Sequence, residues 1–118
     1  MPANTANCLF RATVKVRPDP ENKPNTKLIG AYVDCFIAAA DHLTGLRFAV
    51  EELSRKGWLF DDLRDGNVHQ LDPQNWDEFI KSASPELPNY FPRQDDILRF
   101  VQAGGVFFGP FCGWESEV

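Results

Sequence analysis

Between Lys27 and Phe60 the hydrophobic period of the chain changes twice, and this constrains the fold more than any other feature. Ala31, Val33, Cys35 and Ile37 alternate with Tyr32, Asp34 and Phe36, the two-residue period of a strand over about Lys27 to Ala39. From Leu43 the period lengthens to that of a helix, with Leu43, Leu46, Val50 and Leu53 as a stripe joined by Phe48 and Ala49. Asp41 stands where a carboxylate accepts from the free amides of a first turn, and Arg55 and Lys56 suit the negative end of the helix dipole. Gly57 supplies the left-handed residue that ends the helix, and Trp58, Leu59 and Phe60 open another strand. Gly45, unfavourable inside a helix, points to close packing near the first turn.

The segments on either side extend this pattern. Leu9 to Arg17 alternates Phe10, Ala12, Val14 and Val16 with Arg11, Thr13, Lys15 and Arg17, as a half-buried strand does. The proline-rich Pro18 to Thr26 then reverses the chain, making a hairpin with the strand that follows. Asp65-Gly66 is a two-residue turn signal and predicts a second hairpin into Asn67 to Leu71. Asp72-Pro73 starts a short helix to about Ala83, on which Trp76, Phe79, Ile80 and Ala83 recur at helical spacing. Ser84 to Pro92 reads as a stiff extended connection. A third helix is expected over about Arg93 to Ala103, and Val106 to Phe108 as a last strand before Gly109-Pro110.

The order is thus β-β-α-β-β-α-α-β. A right-handed crossover through the first helix makes the second and third strands parallel. The fold class expected is α+β, a two-layer sandwich with a mixed, mainly antiparallel sheet and the helices on one face, in a single domain spanning residues 1–118. A chain of this length buries roughly two thirds of its unfolded surface, so it needs no covalent staple. Cys8, Cys35 and Cys112 are odd in number and widely spaced, which fits neither a disulfide framework nor a zinc site. Cys35, on the inward face, reads as a small buried hydrophobe. With no basic start and apolar core at the N-terminus, and with glycines and proline breaking the uncharged run Phe100 to Trp114, the expected location is cytoplasmic.

Charge narrows the range of partners. Residues 1–60 carry eight Lys and Arg against six Asp and Glu, whereas residues 61–118 carry four against eleven. Such a balance repels phosphate backbones and anionic lipid, so neither nucleic acid nor a membrane is expected as a partner. A protein partner or self-association fits better.

Chemistry-bearing motifs are scarce. Asp61, Asp62 and Asp65 with His69 form the one acidic constellation, and it lacks the alternating acceptors and distal glutamate of a calcium loop. These residues read as solvated turn acids. His42, in the first turn after the cap, opposes the helix dipole when protonated and reads as a surface or capping residue. No nucleophile stands beside a base, so no catalytic residue, metal or cofactor is assigned. The aromatic residues say more. Tyr90, Phe91, Phe107, Phe108, Phe111 and Trp114 fall in the last 29 residues, and the consecutive Phe107 and Phe108 point to opposite sides of a strand.

Two functional classes follow. The first is a non-enzymatic protein-interaction module that uses Asp61, Asp62, Asp65, Tyr90, Phe91, Phe108, Phe111 and Trp114 as an acidic and aromatic surface, with homodimerisation through the last strand as one use of it. In size and charge alone the chain resembles bacterial immunity and inhibitor proteins that mask a basic toxin or enzyme, which implies an inhibitory role. The second is a small-molecule binder or small enzyme with a pocket between sheet and helices lined by Tyr32, Phe36, Trp58 and His69.

Overall fold

Two long strands, β1 (Cys8–Pro18) and β2 (Leu28–Ala39), form the central hairpin of the sheet, in register from Cys8 opposite Ala39 to Val16 opposite Ala31. The computed structural model describes residues 6–22, 26–86 and 90–115. Residues 23–25 of the loop expected at Pro18 to Thr26, and 87–89 of the connection expected at Ser84 to Pro92, lie outside that range.

On the outer edge of β1 lie β3 (Trp58–Leu63) and β4 (His69–Leu71), end to end. The outer edge of β2 is shared in the same way by β5 (Gly105–Phe108) and β6 (Cys112–Glu115). The sheet is therefore six strands in composition and four strands wide, with the path β3-β1-β2-β5. The α+β class and the element order are those expected, with β6 added at the end.

Three expectations need correction. Every pairing among the described residues is antiparallel. Strands β2 and β3 do run parallel, as a crossover through α1 (His42–Arg55) requires, but β1 lies between them and takes the hydrogen bonds of both. The second hairpin does not form. Asp65 and Gly66 adopt the positive φ angles of 64° and 68° that the turn signal foretold, within a short 3-10 turn at Arg64–Gly66. The chain then resumes along β1, because that strand offers eleven residues of edge and β3 occupies only its Val14 to Pro18 end.

The third correction concerns the layers. One face of the sheet packs Phe10, Ala12, Val14, Val16, Ala31, Val33, Cys35 and Ile37 against Ala49 and Leu53 of α1. On the opposite face Leu9, Phe36 and Ala38 pack against α2 (Trp76–Ala83) and α3 (Gln94–Ala103). The helices thus cover both faces, since Phe36 and Ala38 make β2 apolar on both sides at that end and each side needs its own cover. Phe36 meets Trp76 edge-on at 5.3 Å and stacks on Phe107 at 5.0 Å. Trp76 donates its indole N–H to the Pro92 carbonyl at 2.8 Å, so its one polar atom is satisfied within the apolar layer.

Helix α1 sits close to the sheet. Its buried residues are Gly45, Ala49 and Leu53, and a Cβ on Gly45 would lie 2.5 Å from Cγ2 of Ile37. Approach over small residues turns the expected stripe, leaving Leu43 69 % and Phe48 46 % exposed. Asp41 caps the helix as expected, accepting from the Thr44 amide at 2.9 Å and from its hydroxyl at 3.0 Å.

Candidate functional site: the outer edge of strand β5

Strand β5 ends the sheet on the β2 side, and its backbone chemistry can be assigned residue by residue. The Gly109 amide donates to the Asp34 carbonyl at 2.9 Å, which sets the alternation of the ladder. Phe107 and Gly105, at the same phase, face β2. Val106 and Phe108 therefore present their amides and carbonyls to the outer side, where no strand pairs with them among the described residues.

A groove of about 400 Å³ runs along this edge, lined by Glu52, Lys56, Tyr90, Val106, Phe107, Phe108, Gly109 and Phe111. Phe107 and Phe108 point to opposite faces, so a groove lined by both opens along the strand edge. One wall is the last turn of α1, with Glu52 on the helix and Lys56 capping it. The other carries Tyr90, which is 52 % exposed and meets Phe91 edge-on at 4.9 Å. Phe111 closes one end and packs against the buried Trp58 at 5.0 Å. From Gly104 to Trp114 there is no charged residue, so the floor of the groove is neutral, and the strand after it carries charge only at its last residue, Glu115.

The structure divides the acidic and aromatic surface expected from sequence. Tyr90, Phe108 and Phe111 meet at the groove with Phe91 behind Tyr90. Asp61 and Asp62 lie on β3 and Asp65 in the turn after it, beyond β1 and β2 at the far edge of the sheet. Asp61 stands 3.9 Å from the Lys15 ammonium, and Asp62 accepts from the Leu63 amide at 2.9 Å. Trp114, on β6, lies over Gly30 on the face opposite α1, where a Cβ at position 30 would overlap its ring.

Tyr32, Phe36, Trp58 and His69 do not share a pocket. Phe36 is buried under α2 and α3, and Trp58 on the other face under α1. His69 is exposed on β4, opposite Arg11. Tyr32 belongs to an aromatic and cationic cluster on the half of the sheet that α2 and α3 leave open. The Arg64 guanidinium lies 5.3 Å from its ring, Trp114 lies 5.8 Å from it, and Lys15 lies 5.8 Å from the Trp114 ring. Thr13 donates to Asp34 beside this cluster.

Among the described residues no three His, Cys, Asp or Glu side chains stand close enough together to hold a metal ion, and no helix is long and apolar enough to cross a membrane. Burial pushes the Cys35 thiol up to about 12, with the Asp34 carboxylate adding to the shift. Sequence reasoning found the aromatic residues but not Glu52, Lys56, Val106 or the outward amides. The available signal was the uncharged run flanked by a strand of only a few residues. Comparison with protein-family models, curated proteins and solved structures finds no match for the chain.

Proposed function

We propose that the protein is a non-enzymatic interaction module that binds an extended polypeptide segment along the outer edge of β5. The observation that carries this reading is the pairing of outward amides and carbonyls at Val106 and Phe108 with a neutral, aromatic-walled groove over them. Main-chain bonds of that kind supply affinity for a strand, and flanking pockets supply selectivity for its side chains. Tyr90, Phe108 and Phe111 are the anchors a partner would cover, and Glu52 and Lys56 form the polar rim. A basic partner held by Asp61, Asp62 and Asp65 is a separate use of the opposite edge and draws less support, since Lys15 already stands beside Asp61.

The test is a photo-reactive aromatic placed at Tyr90 on one edge or at Arg64 on the other. Polypeptide adducts are expected from position 90 and not from position 64, and Val106→Pro, which removes one outward amide, should abolish them. Proline is tolerated on an edge strand where its nitrogen faces solvent, so this variant keeps the fold, as far-UV circular dichroism would verify. Adducts from position 90 that persist undiminished in a folded Val106→Pro protein would overturn the reading.

A further inference from the structure

Resting on that reading, the geometry points to a second copy of this chain as the occupant of the groove, added through β5 about a two-fold axis. An axis normal to the sheet beside Phe107 pairs Val106 with Phe108 of the other copy, and Phe108 with its Val106. These are the two residues whose amides and carbonyls point outward, so each pair exchanges two bonds and the junction contains four. Nothing on β5 opposes this by charge, since no charged residue occurs from Gly104 to Trp114. The opposite edge, with Asp61, Asp62 and Asp65, would face its own acids in a self-pairing.

The flank of α1 supplies the second argument. An axis normal to the sheet keeps the two α1 helices on the same face and sets them antiparallel. Glu52 and Lys56, one turn apart and both lining the groove, then meet their opposites, Glu52 against Lys56 and Lys56 against Glu52. Glu52 also accepts from Arg55 within its own helix, and Lys56, the cation lining the groove, has no ion-pair partner among the described residues.

Sedimentation equilibrium of the purified chain tests this. The wild-type protein should show a reversible monomer–dimer equilibrium. Glu52→Lys and Lys56→Glu should each weaken it by about tenfold, and the double exchange should restore it, because only a self-complementary contact is repaired by reversing both charges in one chain. A wild-type protein that remains monomeric up to about 200 μM, well above the micromolar range of specific association, would overturn the second-copy assignment. So would a dimer indifferent to the single exchanges, or one that the double exchange fails to restore in a folded protein. If the wild type is monomeric but position 90 still forms adducts sensitive to Val106→Pro, the edge groove stands and its occupant is another polypeptide.

Discussion

Gly45 shows how one missing Cβ sets the distance of a helix from a sheet. Replacing a helical glycine with alanine ordinarily stabilises by about 1 kcal/mol. Here the new methyl would meet Ile37 Cγ2 at 2.5 Å and Ala39 Cβ at 3.2 Å. We expect Gly45→Ala to destabilise by about 1–2 kcal/mol in urea unfolding, since overpacking a filled core costs about that much. At Asp41, hydrogen bonds from the Thr44 amide and hydroxyl hold the carboxyl below its ordinary value of 3.8. The stabilising contribution is therefore present above that value and lost as pH falls through the lower, folded one. The stability difference between wild type and Asp41→Ala should be full at pH 7 and shrink progressively below pH 3.8, as denaturation midpoints over a pH series would show. Cys35, with its thiol pushed up to about 12, should resist a thiol reagent at pH 8 until the protein unfolds, while the exposed Cys112 reacts in the native state. The cap, the buried cysteine and the tight glycine were all legible in the sequence because each depends on a local rule.

Elements were legible where one period persisted and misread where tertiary packing selected the face. Strands β1 and β2 and all three helices follow from alternation and caps. The buried stripe of α1 did not, because Gly45 and Ala49 draw the helix onto the sheet by their smallness, a criterion that hydrophobicity does not measure. Accordingly Leu53→Ala should cost about 2–4 kcal/mol, and Leu43→Ser, at an exposed site, no more than about 0.5 kcal/mol. The pairing of β3 and β4 with β1 was illegible because register along a long strand is decided by the unfilled edge, not by the turn between the short ones. Helix α2 is tied to α3 by Gln94, whose side chain accepts from the Asp77 amide at 3.0 Å and donates to the Pro73 carbonyl. Gln94→Ala should speed hydrogen exchange in α2 and α3 while leaving β1 and β2 protected, because the two helices cover only one end of their face.

At the scale of the molecule, a central hairpin of two long strands carries short strands on each side, and the two edges differ in kind. The β3 and β4 edge bears Asp61, Asp62 and Asp65 and a bulge where register shifts between Lys15 and Val16, features that discourage strand addition. The β5 edge bears none of these and is walled by Tyr90 and the flank of α1. Sequence alone placed the acidic and aromatic residues in one half of the chain. It could not show that two intervening strands would separate them, since that depends on strand order. Of the expected surface, Tyr90, Phe108 and Phe111 meet at the groove, Trp114 lies apart over Gly30, and the three acids sit on the far edge. Amide hydrogen exchange along β5, followed as protein concentration is raised, tests the central claim most directly. The amides of Val106 and Phe108 should become protected as concentration rises, while those of Phe107 and Gly109, already bonded to β2, stay unchanged. Exchange at Val106 and Phe108 that is fast and independent of concentration would contradict pairing of this edge with a second copy.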